Sequence, residues 1–402
     1  MHLSEIIAVR SVPGAGVFFA LTRRCPLSCA HCSTNSMLSS EQHSETPFRR
    51  LAATFTAEHH PEILYLTGGE PLLRPRLVAD LVERAHEVGT KVVLITGMYF
   101  ARADGRVPKP LWKCLTMVDH VTASQDVHHE AQVPRRNAFT VLRRLRDAGR
   151  DVSFQLAGSG PQDPYLAEIT AQIDRDFDGQ VPSLVLKFAA IGRGEQLYEQ
   201  PAGLSEDTAS PSPCEVASWP VVAFDGSISA CCNQEVIDGA TPAHLSLGHA
   251  RDLRWAEIVE RTGQDPTLRA LRVYGPRNAL AQIGRKPGCP GVCDTCIAFE
   301  DQPGLAAEFD GLTRRPAFVP TESLVRLMLR DEGPLAFARR SGIRRYAHLV
   351  ERGLTPTGAA GVEHAGTEPA RAGTAGAEPV AAGRIGAARI GAEHGGVAHA
   401  ND

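Results

Sequence analysis

Nine of the ten cysteines in this sequence fall into two groups, and their spacing indicates metal or cluster chemistry. The N-terminal group has the spacing C-x3-C-x2-C and consists of Cys25, Cys29 and Cys32. Three thiolates on one tight loop can ligate three irons of a cubane iron–sulfur cluster and leave the fourth iron without a protein ligand. Such an open iron can bind a small molecule directly, whereas four cysteine ligands would close the cluster for electron transfer.

A zinc site is the alternative interpretation of this loop. Zinc sites usually combine a C-x2-C pair with a second pair of ligands, and His31 could be counted as a fourth ligand. However, His31 adjoins Cys32 in the chain, which makes a shared tetrahedral geometry awkward. The spacing therefore favours an iron–sulfur cluster over a zinc ion.

The second group contains six cysteines between residues 214 and 296. The chain between the first two predicts a β-hairpin, because Asp225-Gly226 is a tight-turn sequence between two strand-like runs. This hairpin would bring Cys214 and Cys231 together at its open end. Cys232 is less suitable as a ligand, because neighbouring side chains on a strand point to opposite faces. The remaining three cysteines, which repeat C-x3-C-x2-C, are Cys289, Cys293 and Cys296.

Six strand-like segments between residues 15 and 190 alternate with helix-like segments. The fold that they form would position these cysteine groups. Each strand candidate is a short run rich in Val, Ile, Leu, Phe or Thr, and amphipathic helical patterns that end at Gly89 and Gly149 lie between them. Such β–α repeats predict a parallel sheet, either doubly wound or curved into a barrel. The strand candidates are Val17–Leu21, Ile63–Thr67, Lys91–Thr96, His120–Ser124, Val152–Leu156 and Leu184–Phe188.

A second motif follows the second strand candidate, where the sequence continues as Gly68-Gly69-Glu70-Pro71. Two glycines at the carboxyl end of a strand let a backbone approach a ligand closely. Together with the cysteine loop one strand earlier, this motif resembles the signature of the radical S-adenosylmethionine (SAM) superfamily. The resemblance implies that the α/β repeats form a partial (β/α)6 TIM-like barrel.

The same resemblance implies two cofactors for this barrel. They are a 4Fe–4S cluster on Cys25, Cys29 and Cys32, and SAM bound to the open iron. In this superfamily, reductive cleavage of SAM produces a 5′-deoxyadenosyl radical, which abstracts a hydrogen atom from the substrate. An electron donor such as flavodoxin or ferredoxin is then expected as a partner.

Three segments are expected to contact SAM, again by resemblance. The glycine-glycine-glutamate motif would hold its amino group, a Ser-x-Asp sequence after the fourth strand would lie near the ribose or carboxylate, and a Gly-Arg sequence after the sixth near the adenine and carboxylate. His128, His129 and Glu130 stay open between proton donor, substrate contact and surface residue, and no catalytic residue is assigned. The residues implied to bind SAM are Gly68, Gly69, Glu70, Pro71, Ser124, Asp126, Gly192 and Arg193.

The second cysteine group resembles part of a SPASM or twitch-like module, a C-terminal extension that binds auxiliary iron–sulfur clusters. A full SPASM module continues with C-x2-C-x5-C-x3-C and one more cysteine, whereas this chain has C-x3-C-x2-C and none after it. Six cysteines cannot fill two closed four-iron clusters, so one auxiliary 4Fe–4S cluster is expected, with a zinc site as the alternative. Its expected ligands are Cys214, Cys231, Cys289, Cys293 and Cys296.

The resemblance and the composition together divide the chain into five expected parts. Residues 1–200 form the radical SAM core, 201–213 a linker rich in Ser and Pro, and 214–300 a small Cys-rich α+β module. Helix signals continue over 301–353. The rest, 354–402, is dominated by Ala and Gly and lacks aromatic residues, so it cannot bury enough apolar surface to offset its ordering entropy and is predicted to be a disordered tail.

Overall composition limits the class of protein. The 402 residues are 43% hydrophobic and carry a formal net charge of −4, which gives no electrostatic footprint for nucleic acid. No apolar run reaches the roughly 18 residues that a membrane helix needs. The N-terminus lacks a signal-peptide pattern, so a cytoplasmic location is expected. Clustered cysteines in that compartment bind metal or do catalysis more often than they form disulfides.

The function expected from the resemblance is a maturase-type modification of a peptide or protein. Barely a dozen residues precede the first strand, so leader recognition is expected to come from a separate protein or another surface. The alternative is a radical SAM enzyme that acts on a small molecule such as a sugar, nucleoside or cofactor precursor. A remote alternative is a non-catalytic zinc or iron–sulfur binding protein, in which the glycine-glycine-glutamate motif would have no purpose.

Overall fold

Parallel strands dominate the computed structural model, which describes residues 1–198, 213–238, 241–289 and 291–354. The predicted linker and tail therefore lie outside the described residues, apart from Pro213 and Leu354. One sheet of nine strands has the order 6-5-4-3-2-1-7-8-9. Its first six strands are all parallel and are β1 Gly16–Ala20, β2 Ile63–Thr67, β3 Lys91–Thr96, β4 His120–Gln125, β5 Asp151–Gly158 and β6 Ser183–Lys187.

All six predicted strands are present; β2 and β3 have the predicted bounds, and the ends of the others differ by at most two residues. Each pairs with the next in sequence order, and β1 and β6 do not pair with one another. The six strands thus form an open parallel arrangement, and the expected α/β class is confirmed. Because parallel strands end at the same edge of a sheet, the loops after their carboxyl ends lie together.

Helices connect these strands because their apolar residues recur at helical spacing. In α3, for example, Leu77, Val78, Leu81 and Val82 are buried against the sheet, as their spacing predicts. The helices of this half are α1 Leu3–Ala8, α2 Thr46–Ala52, α3 Pro75–Glu87, α4 Lys109–Met117, α5 Val127–Glu130, α6 Arg135–Asp147 and α7 Pro164–Asp176, with 3₁₀ helices at Pro71–Leu73 and Gly192–Gln196.

The Cys-rich segment extends the same sheet. Strand β7 (Val221–Val222) pairs in parallel with β1, and β8 (Ser227–Ser229) and β9 (Ser246–His249) follow in antiparallel order. The predicted Asp-Gly turn joins β7 to β8, where Asp225 accepts a hydrogen bond from the Ser227 amide and Gly226 has a φ of +99°. The parallel pairing of β7 with β1 has no counterpart in the sequence-based prediction.

Trp219 packs between this extension and the parallel strands. Trp219 is fully buried, and its indole N–H donates to the carbonyl of Val9 at 3.0 Å. A Cβ atom at Gly16 would lie 2.5 Å from the Trp219 ring, so only glycine fits at the start of β1. The ring therefore takes the space that a side chain on β1 would occupy.

Helices complete the described C-terminal part of the chain. None of the helices in the described residues is long and apolar enough to cross a membrane. Cys114, the cysteine outside the two groups, is 1% exposed in α4. The remaining helices are α8 Gln234–Asp238, α9 Trp255–Gln264, α10 Pro266–Gln282, α11 Val292–Ile297, α12 Leu305–Thr313 and α13 Phe318–Ser341, with 3₁₀ helices at Glu215–Ser218, Ala243–Leu245 and Arg344–Glu351.

Candidate functional site

The three N-terminal cysteines lie on a compact loop directly after β1. The amide of Cys25 donates to the carbonyl of Met37 at 3.3 Å, and the amide of Cys32 donates to the carbonyl of Cys29 at 3.2 Å. Cys29 is buried, whereas Cys25 and Cys32 are half-buried. The loop thus closes on itself through backbone hydrogen bonds and leaves two of its three thiols partly accessible.

The glycine turn after β2 packs directly against the chain that leads into this loop. The amide of Gly69 donates to the carbonyl of Thr22 at 2.6 Å, and the amide of Glu70 donates to the carbonyl of Arg24 at 2.9 Å. A Cβ atom would lie 2.5 Å from the Thr22 oxygen at Gly68 and 2.4 Å from the Arg24 oxygen at Gly69. Gly68 also has a φ of +132°, which L side chains rarely adopt. Both glycines are therefore required for the approach of one backbone to another.

The carboxylate of Glu70 points into the protein. It is fully buried and accepts hydrogen bonds from Thr96 Oγ1 at 2.9 Å, from the Gly97 amide at 3.0 Å and from the Leu72 amide at 3.1 Å. Burial raises the pKa of Glu70 to about 7, although these donors act in the opposite direction. Glu70 thus joins the carboxyl ends of β2 and β3, while Pro71 begins the 3₁₀ turn that follows.

The Gly-Arg sequence after β6 contacts the other side of the cysteine loop. Arg193 donates from its amide to the carbonyl of Cys32 at 3.0 Å and from Nε to the carbonyl of Cys29 at 2.9 Å. Its Nη1 donates to the carbonyl of Ser36 at 3.0 Å, and its buried Nη2 has no acceptor among the described residues. Gly192 has a φ of +61°, and a Cβ atom there would lie 2.4 Å from the Ser33 oxygen.

The aspartate of the Ser-x-Asp sequence is held by its neighbours. Asp126 is 2% exposed and accepts hydrogen bonds from the amides of His128 and His129 at the start of α5. Its carboxylate also lies 2.5 Å from Nδ1 of His129 and 3.3 Å from Nε2 of His31. Ser124 is half-buried near the carboxyl end of β4. Asp126 therefore links the cysteine loop to α5 through His31.

Charge and burial act in opposite directions on these two histidines. Burial lowers the pKa of His31 to about 4. Burial also opposes a charge on His129, but the Asp126 carboxylate and the nearby Cys29 thiol outweigh it and raise the pKa of His129 to about 10. The pair thus differs in proton affinity although both rings contact the same carboxylate.

Two contacts near the loop could not be anticipated from sequence motifs. Gln132 accepts a hydrogen bond from the Ser28 amide at 2.8 Å and donates from Nε2 to Sγ of Cys29 at 3.5 Å. Tyr198 stacks on Phe188 with ring centroids 4.7 Å apart, and its hydroxyl lies 2.6 Å from Nε2 of His128. Gln132 carries no motif of its own, and His128 lies 70 residues from Tyr198 in the sequence.

Cys214 is the centre of the second cysteine group. Its thiol interacts electrostatically with the thiols of four other cysteines of this group. Burial raises the pKa of the thiols of Cys214, Cys231, Cys293 and Cys296. The interacting cysteines are Cys214, Cys231, Cys232, Cys293 and Cys296.

Cys232 differs from the sequence-based expectation in its backbone setting. Strand β8 ends at Ser229, so Cys231 and Cys232 lie beyond the strand, and the alternation of side chains does not separate them. Cys232 is exposed, and Arg10 Nη2 donates to its sulfur at 3.7 Å. Arg10 in turn lies over the Trp219 ring, 4.9 Å from its centroid.

The spacing of the thiols bears on the choice between zinc and a cluster. A tetrahedral zinc ion with Zn–S bonds of about 2.3 Å places its sulfur ligands about 3.8 Å apart. Within the part of the chain that the structure describes, the one group of three or more possible ligands with all atoms within 4.8 Å is His31, Asp126 and His129. In neither cysteine group do three described sulfur atoms lie as close together as the ligands of a single zinc ion must. The cysteine ligands of an iron–sulfur cluster, by contrast, bind separate irons.

Comparisons with known proteins support an iron–sulfur cluster at the cysteine loop. A family model described as a 4Fe-4S single cluster domain matches residues 12–139. A PqqA peptide cyclase of Streptomyces rochei is 37% identical over 93 residues, which cover 20% of this chain and 22% of the relative. A 7-carboxy-7-deazaguanine synthase of Hyperthermus butylicus is 30% identical over 138 residues, which cover 32% of this chain and 53% of the relative.

These matches are partial, because the chain spans between about a fifth and a half of the length of the two curated relatives. Among solved structures, Streptococcus suis SuiB bound to S-adenosylmethionine is similar with a TM-score of 0.49 and 11% identity, over 74% of this chain and 76% of that chain. The residues matched by the family model include both the cysteine loop and the glycine turn. The family match and the curated relatives support a radical SAM enzyme.

Proposed function

We propose that this chain is a radical SAM enzyme that modifies a peptide or protein substrate by hydrogen abstraction. When bound at Cys25, Cys29 and Cys32, a 4Fe–4S cluster and SAM supply reductive cleavage of SAM and a 5′-deoxyadenosyl radical that takes the hydrogen atom. The observation that carries the proposal is the bracing of the cysteine loop by Gly68–Gly69 on one side and Gly192–Arg193 on the other. Preorganisation of this kind holds the three ligands in place before a cofactor binds.

The chain's own polar groups fit the other cofactor, SAM, which carries an amino group and a carboxylate. The buried Nη2 of Arg193 lacks an acceptor among the described residues, and a carboxylate is the partner that a guanidinium binds best. Glu70 and Asp126 already accept several hydrogen bonds each, so we assign them to positioning the glycine turn and His31. Ser124 keeps its expected place near SAM in this proposal.

An auxiliary 4Fe–4S cluster in the second cysteine group is a further part of the proposal. Four of the expected ligands, Cys214, Cys231, Cys293 and Cys296, interact with one another, and four cysteines close a cubane cluster. Among the described residues, no three of these cysteines have all their sulfur atoms within 4.8 Å of one another, so we favour a cluster over a single zinc ion. Cys289 remains a further candidate ligand, and we assign Cys232 to the contact with Arg10.

A peptide or protein substrate is supported by the similarity to the PqqA peptide cyclase. The similarity to 7-carboxy-7-deazaguanine synthase supports the second candidate, in which the same radical chemistry acts on a small molecule. An electron donor such as flavodoxin or ferredoxin would reduce the cluster in either case. Peptides encoded next to this gene, tested as substrates, separate the two candidates, because a mass change in such a peptide that depends on SAM occurs only in the first.

Substitution of Cys29 by alanine tests the radical chemistry. We expect anaerobically reconstituted wild-type protein to release 5′-deoxyadenosine from SAM after addition of dithionite, and Cys29→Ala to release none, because two thiolates do not hold the cluster. Liquid chromatography measures the product. Cys114→Ala serves as the matched control, since Cys114 is buried away from both groups. Equal product from Cys29→Ala and wild type would rule out this assignment of the loop.

Iron content tests the auxiliary cluster. Two four-iron clusters give about eight irons per chain, and Cys214→Ala is expected to retain about four. Cys114→Ala is the matched control and should keep about eight, because Cys114 belongs to neither cysteine group and is buried in α4. Assays of iron and acid-labile sulfide measure the cluster content of each variant. Zinc in place of iron, or full iron in Cys214→Ala, would contradict the proposed ligand set.

Gln132 is expected to tune the N-terminal cluster through its hydrogen bond to Cys29. Donors to cluster sulfurs favour the reduced state, so their removal lowers the reduction potential. Gln132→Met removes the donor without a charge, and Gln132→Glu removes it and adds a negative charge. We expect a lower midpoint potential in both variants, and the lowest in Gln132→Glu, by redox titration followed by EPR. Unchanged potentials in both variants would show that the contact has no electronic role.

A further inference from the structure

A polar recess lies at the amino-terminal ends of β4, β5 and β6, whereas the cysteine loop follows the carboxyl end of β1. It has a volume of about 200 Å³, which far exceeds the 10–15 Å³ or so that one water molecule needs. Arg146 and Arg150 line it, together with His2, His120 and Asp151. We propose that this recess, named here the basic recess, binds a phosphate group. The proposal is independent of the function proposed for the cysteine loop.

The two arginines supply the positive charge of the basic recess. Within the described residues, neither guanidinium has an ion pair with a carboxylate, and the buried Nε of Arg150 has no acceptor. Neighbouring arginines differ in this respect, since Arg143 lies 3.8 Å from the Asp176 carboxylate and Arg352 lies 3.1 Å from the Asp174 carboxylate. Two like charges that face one recess repel each other, and an anion between them removes this repulsion.

The other groups of the basic recess do not offset this charge. The carboxylate of Asp151 pairs with the amino terminus of Met1. The ring nitrogens of His120 lie 2.9 Å from the Met1 carbonyl and 2.7 Å from Ser153 Oγ, so both already have partners. His2 is likewise held, with Nε2 at 2.8 Å from the carbonyl of Arg352. The free hydrogen-bonding capacity of the recess is thus concentrated in guanidinium donors.

Phosphate matches these donors in charge and in shape. A guanidinium presents a planar fork of N–H groups that binds phosphate oxygens in pairs, and a dianion balances two such groups. Gln180 and Gly353 border the recess without adding a carboxylate. Its volume leaves room beside the phosphate for a small esterified group, so the source is either free phosphate or a phosphate monoester.

Titration calorimetry of the full chain with inorganic phosphate tests the proposal, with chloride at matched ionic strength as the reference. We expect saturable binding of phosphate but not of chloride, and a loss of affinity of about tenfold or more in Arg146→Met and in Arg150→Met. Arg143→Met is the matched control on α6, the helix that also carries Arg146, and should bind as wild type does. Circular dichroism establishes that each variant is folded.

Glycerol 3-phosphate in a parallel titration distinguishes the two sources. Tighter binding than inorganic phosphate indicates a monoester, and equal or weaker binding indicates free phosphate. Absence of saturable phosphate binding at millimolar concentrations would overturn the proposal. Wild-type affinity in the double variant Arg146→Met/Arg150→Met would overturn it as well, because the phosphate would then bind elsewhere.

Discussion

The backbone of the cysteine loop is in close contact with the backbones of two neighbouring segments. Only glycine fits on these segments at the points of contact, because a Cβ atom there would collide with the loop. Gly69 meets the carbonyl of Arg24, Gly192 meets the carbonyl of Ser33, and amide hydrogen bonds accompany both contacts. A loop held in this way has few conformations available, so the positions of its three thiols are set by the ends of β2 and β6. The entropic cost of ordering the loop therefore arises during folding rather than when a ligand binds.

Strand β1 extends this constraint to the second cysteine group. Its one edge pairs with β2, which carries the glycine turn, and its other edge pairs with β7, which begins the hairpin that leads to Cys231. Trp219 secures the second pairing against Gly16. Both cysteine groups are therefore attached to one central strand, and a shift of β1 would displace both of them.

Most of the fold could be predicted from the sequence, because each of the six parallel strands is a local apolar run. The pairing of β1 with β7 could not, because β7 has two residues and its partner lies about 200 residues away. Within the site, the cysteine spacing and the glycines gave strong signals, but a single sequence does not reveal what a glycine approaches. Gly68 and Gly69 approach the loop backbone itself. Gln132 contacts Cys29 only through space, so no pattern marked it.

Iron content and the EPR response to SAM in Gly69→Ala test most directly whether backbone contact holds the cluster loop. The added Cβ atom would lie 2.4 Å from the Arg24 oxygen, whereas a Cβ atom at Gly160 would meet nothing within 4 Å, so Gly160→Ala is the matched control. The account predicts that folded Gly69→Ala loses about four irons per chain and the SAM-dependent change in the EPR signal, while Gly160→Ala keeps both. Full iron content and an unchanged SAM response in Gly69→Ala would contradict it.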